Sequence, residues 1–154
     1  MAPGVMTTTP KTDSDYLDRM SQVIFSAGLN WRMVEKKWPE FRKSFASFSP
    51  AHVAGLSEAN IKSLMNNPKI IRNERKIRAT IQNARTILDL QHEYGSVEGY
   101  IDSFGKHGKD RLQADLQTKF KQMGPSTARM FLVTVGYPLM SKKEVQACMD
   151  RHRG

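Results

Sequence analysis

One short stretch, Met123–Arg129, contains residue types that can bind an anion through backbone atoms. Gly124 is expected to end the preceding helix, because glycine adopts a positive φ without steric cost. Pro125 fits the first turn of the following helix, and Ser126 and Thr127 come just inside it. The second helix therefore begins with free N–H groups and the positive end of its dipole. Such a helix start is suited to binding a phosphate.

This stretch resembles the helix–hairpin–helix element, which binds a DNA backbone without reading its bases. The resemblance implies that phosphates contact Gly124 and the amides of Ser126 and Thr127, with Lys121 and Arg129 beside them. The alternative is an ordinary connection between two helices, because Gly-Pro is common at such positions. The stretch alone favours the ordinary connection. The net charge and the residues described below favour the DNA-binding element.

The composition of the 154-residue chain favours one domain that binds a polyanion. Its 24 Lys and Arg against 15 Asp and Glu give a formal net charge of +9, which favours nucleic acid first and an acidic membrane surface second. The single cysteine, Cys148, excludes an internal disulfide and suits a reducing compartment. No apolar run of about 18 residues and no signal-peptide core occur. We therefore expect an intracellular protein, in the cytoplasm, nucleoid or nucleus.

Apolar residues recur at helical spacing through most of the chain, and no convincing strand or repeat occurs. Residues 1–13 are small, polar and proline-bearing, which predicts a flexible tail before a single domain over residues 14–154. We predict helices at residues 14–27, 31–48 with an interruption at Pro39, 51–55, 58–66, 71–94, 96–104, 109–122 and 128–135, and a last basic helix from Ser141. The predicted fold is all-α, a compact multi-helix domain with a helix–hairpin–helix element.

Three blocks of residues, which together span roughly residues 17–137, point to a known family. They are Ser26–Trp31 with its following helix, Leu64–Arg85, and Phe120–Pro125. In this order they resemble the DNA-3-methyladenine glycosylase I family, a branch of the helix–hairpin–helix base-excision glycosylases. The middle block is the most specific, because helix periodicity does not dictate its order of residues. The resemblance implies hydrolysis of the N-glycosidic bond of alkylated purines such as 3-methyladenine in DNA.

The predicted base pocket departs from the family pattern. In the family, a glutamate eight positions before the tryptophan holds the edge of the flipped base. Counting back from Trp31 gives Val23, whose side chain neither accepts nor donates a hydrogen bond. Gln22 is adjacent, but one residue along a helix points about 100° away. We therefore expect a pocket of Trp31, Val23 and Gln22 that is more apolar than that of other members.

The metal ligands of the family are also missing. Ser141 and Val145 stand where C-terminal ligands are expected. Cys148 and His152 are four residues apart, but two candidate ligands do not complete a four-coordinate zinc site. We expect neither a metal nor a cofactor.

The resemblance assigns two roles around the break at Gly28. Trp31 is the candidate that stacks on the flipped base. Leu29, after Gly28, is the candidate wedge that fills the vacated position in the DNA stack. For both Trp31 and Leu29, packing in the protein core is an equally good interpretation.

A second group of basic residues follows the most specific block. The group consists of Lys69, Arg72, Arg75, Lys76, Arg78 and Arg85. A solvated helix surface is the favoured interpretation of this group, and direct DNA contact is the alternative.

No residue can be assigned as the catalytic acid or base. The region after the second hairpin helix has no acid before Glu144. The acids nearest the inferred pocket in sequence are Asp15, Asp18, Glu35 and Asp102, and the sequence does not choose among them. A cationic base such as 3-methyladenine is already a good leaving group, so catalysis does not require such a residue.

The expected partner is damaged double-stranded DNA, bound by a monomer that does not enter a membrane. Two further functions stay open. The first is a catalytically silent DNA-binding or lesion-recognition protein of the same fold. The second is a basic helical scaffold that binds another protein.

Overall fold

The structure is a computed structural model, and it describes residues 9–105 and 108–137. Within these two ranges the chain forms eight α-helices and no strand, so the predicted all-α fold is confirmed. The helices are α1 (Asp13–Ser26), α2 (Trp31–Ser44), α3 (Pro50–Ala54), α4 (Glu58–Met65), α5 (Glu74–Tyr94), α6 (Val97–Asp102), α7 (Lys109–Lys119) and α8 (Pro125–Thr134). None of these eight helices is both long enough and apolar enough to cross a membrane.

Helix α1 lies at the centre of the fold. Its apolar residues Leu17, Met20 and Ile24 are fully buried, and every residue from Arg19 to Ser26 is buried as well. The helix packs against α2, α5 and α8. The positions of the other helices are therefore set largely by how they cover α1.

A capping box fixes the start of α1. The Thr12 hydroxyl accepts a hydrogen bond from the Asp15 amide at 3.1 Å. The Asp15 carboxylate accepts in return from the amides of Lys11 and Thr12, at 3.0 and 3.2 Å. The hydrogen bond from the Lys11 amide is the main reason that the pKa of Asp15 lies below its ordinary value.

The charge of Asp15 should make the stability of the protein depend on pH. A carboxylate with a lowered folded-state pKa stabilises the fold above its ordinary pKa of 3.8, and this stabilisation is lost as the pH falls through the folded-state value. We expect Asp15→Asn to reduce the free energy of unfolding at pH 7 by roughly 0.3–1 kcal/mol. Urea unfolding at pH 7 and pH 2.5 measures this difference, which should be smaller at the lower pH. A difference as large at pH 2.5 as at pH 7 would mean that the charge is not the cause.

Stacked aromatic rings join α1, α2 and a short 3₁₀ turn at Ala46–Phe48. Phe48 stacks on Trp38 and on Phe45, with ring centroids 5.3 Å apart in both pairs. The ring centroid of Phe25 on α1 lies 4.7 Å from that of Phe41 on α2. These contacts fix α2 against the centre of the fold.

The aromatic contacts explain why α2 continues through Pro39. The sequence predicted an interruption at Pro39, but α2 is unbroken from Trp31 to Ser44. Proline removes one hydrogen bond of the helix ladder and crowds the preceding turn. Trp38 and Phe41 flank Pro39 and are both buried, so packing on these two sides compensates for the lost bond. The predicted continuation to Phe48 is wrong, because the chain leaves the α-helix at Ser44.

The other helix boundaries differ from the sequence by a few residues. Helix α5 begins at Glu74 and not at Ile71, because the Asn73 side chain accepts from the Lys76 amide at 3.1 Å and caps the helix there. Helix α7 ends at Lys119, three residues before the predicted end. The predicted helix from Ser141 lies outside the described residues, as do residues 1–8.

Candidate nucleic-acid interface

The connection between α7 and α8 leaves the start of α8 without a side-chain cap. Gly124 is the residue before the helix, and no side chain there accepts from the first amides. Pro125 has no amide hydrogen, so the first available donors are the amides of Ser126 and Thr127. Gly124, Pro125 and Ser126 are exposed, whereas the Thr127 side chain is 8% exposed. A polar ligand can therefore reach the backbone at this helix start.

The left-handed residue of this turn is Gln122 and not Gly124. Gln122 has a φ of 56°, while Gly124 is extended, with a φ of −81° and a ψ of −179°. The expectation that Gly124 supplies a positive φ is therefore wrong, because α7 ends three residues early and the chain reverses before Gly124. A Cβ added at Gly124 would meet no atom within 4 Å. Neither the backbone conformation nor internal packing requires glycine at this position.

Gly124→Ala should therefore weaken DNA binding without affecting the fold. The added methyl group enters open space next to the residues whose amides are expected to bind the phosphate, Ser126 and Thr127, so it should crowd a strand that is bound there. We expect an affinity loss on the order of tenfold, about 1.4 kcal/mol, in a binding titration. Gly55→Ala is the matched control, because the Cβ there makes only ordinary contacts of 3.6 and 3.7 Å. Equal affinities of the two variants would show that the strand does not approach Gly124.

Asn83 of the long helix α5 forms hydrogen bonds with the turn between α7 and α8. Its side chain is fully buried and forms two hydrogen bonds with the backbone of Lys121. The Lys121 amide donates to Asn83 Oδ1 at 2.7 Å, and Asn83 Nδ2 donates to the Lys121 carbonyl at 3.2 Å. The Thr86 hydroxyl also donates to the Lys119 carbonyl at 3.4 Å. Of the predicted phosphate-binding residues, Lys121 and Ser126 are exposed and Arg129 is half-buried. They lie around a turn whose backbone is hydrogen-bonded to α5.

A second exposed turn connects α1 to α2 and contains the predicted wedge and stacking residues. Gly28 has a φ of 78°, which favours glycine, and its position is exposed. Leu29 is half-buried and packs against the core, and Trp31 is half-buried at the first position of α2. The buried tryptophan of this region is Trp38, which is 2% exposed. Trp31 therefore lies outside the set of buried core residues, as a stacking residue must.

Lys76 of α5 holds the turn that contains Leu29. Its ammonium group donates to the carbonyls of Ala27 at 3.0 Å and of Phe25 at 3.4 Å, at the end of α1. Burial lowers the pKa of Lys76, and the two carbonyls supply hydrogen-bond acceptors for its charge. Lys76 therefore does not belong to the solvated basic surface that the sequence favours for this group, because its ammonium group contacts the end of α1.

Lys76 and Asn83 lie on the same face of α5. They are seven residues apart, which is close to two full turns. At 1.5 Å per residue, their separation along the helix axis is about 10 Å. One strand of duplex DNA has a phosphate every 3.4 Å of axis, so this distance corresponds to roughly three phosphates. Helix α5 therefore sets the spacing between the Gly28–Trp31 turn and the Lys121–Ser126 turn.

Two of the three residues predicted to line the base pocket lie in the protein interior. Val23 and Gln22 are both fully buried. The side-chain oxygen and nitrogen of Gln22 have no hydrogen-bond partner, nor does the hydroxyl of Ser26 one helical turn later. Within residues 9–105 and 108–137, no aspartate or glutamate is buried. This part of the molecule contains no buried carboxylate that could hold a base.

Comparison with known proteins identifies the class. The family model of the methyladenine glycosylases matches residues 8–151. The chain belongs to this family, as the sequence predicted.

Two curated relatives are DNA-3-methyladenine glycosylase 1 of Escherichia coli strain K12 and DNA-3-methyladenine glycosylase of Haemophilus influenzae strain Rd. The first is 35% identical over 106 residues, which are 68% of this chain and 57% of that protein. The second is 32% identical over 81 residues, which are 53% of this chain and 44% of that protein. The chain thus spans about half the length of the curated relatives that it matches.

Solved structures of 3-methyladenine DNA glycosylase I have the same fold. The enzyme from Staphylococcus aureus, described in a study of 3-methyladenine recognition, gives a TM-score of 0.75 at 25% identity over 84% of this chain and 79% of that chain. A solution structure of a 3-methyladenine DNA glycosylase I gives a TM-score of 0.71 at 28% identity over 84% of this chain and 80% of that chain. The helical arrangement described above is therefore that of known glycosylases.

Proposed function

We propose that this chain is a DNA N-glycosylase that releases alkylated purines such as 3-methyladenine from double-stranded DNA, and that it acts as a monomer. One observation carries the proposal: a single face of α5 holds both the turn before the uncapped start of α8, through Asn83, and the turn before Trp31, through Lys76. An enzyme that extrudes one base must hold the backbone at a fixed distance from the pocket that receives the base. The relatives that are named as DNA-3-methyladenine glycosylases support the same activity.

In this mechanism, the backbone contacts precede extrusion of the base. The amides of Ser126 and Thr127 bind a phosphate and fix the register of the protein on the duplex. Leu29 enters the base stack, and the extruded base stacks on Trp31. Extrusion costs a few kcal/mol, and it costs least at a damaged pair. Damage is therefore selected partly before the base reaches the protein.

Hydrolysis then breaks the bond between the sugar C1′ and the purine nitrogen. The bonding electron pair leaves with the base, water adds to C1′, and the water proton passes to solvent. Positive charge develops on the sugar in the transition state, where the DNA phosphates stabilise it. 3-Methyladenine carries a positive charge in the nucleotide and leaves as a neutral base, so no acid is needed to protonate it. This chemistry suits a site without a buried carboxylate in the described part of the chain.

A second candidate function is a lesion-recognition protein that binds DNA and leaves the base attached. The observation that favours it is Val23, an apolar and fully buried side chain at the position where the family is expected to hold the base edge. Without that contact, an extruded base would gain less from entering the pocket.

One assay separates these functions. The protein is incubated in excess with methylated duplex DNA in a single turnover, the released bases are separated by chromatography, and abasic sites are measured by heat–alkali cleavage. Release of 3-methyladenine above the spontaneous rate is the expected result. Salt-sensitive binding without release would favour the lesion-recognition protein. Absence of DNA binding at low salt would overturn both functions and favour a protein-binding scaffold.

A further inference from the structure

The six basic residues between positions 69 and 85 fall into two groups in the structure. Three of them are engaged by the protein itself. Lys76 donates to two carbonyls at the end of α1. Arg78 pairs with Glu74 at 2.9 Å and with Glu58 at 2.8 Å, and Arg85 donates to the Ala54 carbonyl at 3.1 Å. The charges of this first group therefore have structural partners.

The second group consists of Lys69, Arg72 and Arg75, which are spaced three residues apart: the first two precede α5, and Arg75 is its second residue. All three are exposed. Throughout the part of the chain that the structure describes, their side chains form no hydrogen bond or ion pair. Three cations within seven residues, none with a partner in the described chain, create a positive potential that favours an anionic ligand.

Nearby groups increase this potential. Glu74 is the only acid between Lys69 and Arg78, and its carboxylate is engaged by Arg78. The 21-residue helix α5 begins at Glu74, so the positive end of its dipole points to the same place. The field at the start of α5 is therefore positive in spite of the intervening acid.

The three cations lie close in the chain to Lys76, which contacts the residue immediately before the Gly28–Trp31 turn. Arg75 is adjacent in sequence to Lys76, with Cα atoms about 3.8 Å apart. Lys76 in turn contacts the Ala27 carbonyl, immediately before Gly28 and Leu29. The start of α5 thus lies beside the Gly28–Trp31 turn. Asn83, which contacts the Lys121–Ser126 turn, lies about 10 Å further along the axis of α5.

We propose that Lys69, Arg72 and Arg75 bind phosphates of the damaged strand. These phosphates lie on one side of the Gly28–Trp31 turn, and the phosphates bound by the Lys121–Ser126 turn lie on the other. This inference rests on the proposed function and extends it, because the extruded nucleotide then lies between two phosphate contacts. A backbone that is anchored on one side only can slide instead of opening. Anchors on both sides convert the insertion of Leu29 into local extrusion of one nucleotide.

The slope of binding against salt tests this proposal. The probe is a duplex with one tetrahydrofuran abasic analogue, which cannot be hydrolysed at that site, and the dissociation constant is measured by fluorescence anisotropy at several salt concentrations. Each phosphate contact contributes about 0.9 to the slope of log K against log salt. We expect Arg72→Gln with Arg75→Gln to reduce the slope by about 1.8. Lys43→Gln with Arg85→Gln is the control with the same change in charge, because neither residue pairs with Glu74, and it should leave the slope close to that of the wild type.

A second measurement locates the contact. Single methylphosphonate substitutions remove one phosphate charge at a time on each side of the analogue. The wild type should lose affinity at positions on both sides, and the Arg72/Arg75 double variant only at the positions that the hairpin contacts. Wild-type slope and wild-type interference pattern in that double variant would overturn this proposal and leave the proposed function intact. A wild-type protein that does not bind the duplex at low salt would overturn the proposed function itself.

Discussion

Trp31→Ala should release 3-methyladenine from methylated DNA roughly 5- to 150-fold more slowly than the wild type. Base–aromatic stacking contributes about 1–3 kcal/mol per base on alanine substitution, and each 1.36 kcal/mol corresponds to a tenfold change in rate. Trp31 is half-buried at the first position of α2 and is not one of the buried core residues, so most of its effect should fall on the reaction. Single-turnover release of the base, measured by chromatography, gives the rate directly.

Two variants separate stacking from stability. Trp31→Phe keeps a flat ring and should recover most of the rate. Met33→Ala removes a large apolar side chain that is 40% exposed two residues further along α2, and it should leave the rate unchanged. A Trp31→Ala rate equal to that of the wild type, in a protein that unfolds at the wild-type temperature, would show that Trp31 does not hold the base.

Asn83→Ala should lower both the stability of the protein and its affinity for DNA. The substitution leaves the amide and the carbonyl of Lys121 without their hydrogen-bond partner. A hydrogen bond contributes about 0.5–1.5 kcal/mol to stability, so the loss of two should lower the free energy of unfolding by roughly 1–3 kcal/mol. The turn that precedes Ser126 would also lose its attachment to α5. Affinity for the tetrahydrofuran duplex should therefore fall by more than the unfolded fraction explains.

Urea unfolding and DNA titration of the same preparation test this expectation. Gln82→Ala is the matched control, because Gln82 is the preceding residue of α5 and its side chain is exposed. Asn83→Asp keeps an acceptor for the Lys121 amide but places a second acceptor against the Lys121 carbonyl and buries a carboxylate, so it should not recover the stability of the wild type. Stability and affinity at wild-type levels in Asn83→Ala would mean that the turn is held by other contacts.

The sequence predicts the local features of this fold well. Side-chain caps at Ser57 and Ser96 are formed by short-range contacts, and each precedes a helix close to a predicted start. Thr12, by contrast, caps α1 from within the stretch that was predicted as a flexible tail. The interruption predicted at Pro39 does not occur, because the effect of this proline depends on the packing of Trp38 and Phe41, which no local pattern reveals.

The candidate site shows the same limit. The stretch from Gly124 to Thr127 predicts an uncapped helix start from sequence alone, and the structure contains one. The contacts that position it cross long separations: Asn83 to Lys121 spans 38 residues, and Lys76 to Ala27 spans 49. Helical periodicity places Lys76 and Asn83 on one face of α5 but does not show what that face touches. A buried asparagine in the middle of a long helix is the one signal that could have indicated such a contact.

Because Lys76 and Asn83 share one face of α5, the length of the segment between them is constrained. Inserting one residue between Lys76 and Asn83 would rotate one turn relative to the other by about 100° around α5 and move it by only 1.5 Å. Inserting seven residues would nearly restore the rotation, but it would add about 10 Å to the distance between the turns. No insertion preserves both the angle and the distance. Homologous chains that use both turns on the same strand should therefore keep this segment at one length, even where its sequence drifts.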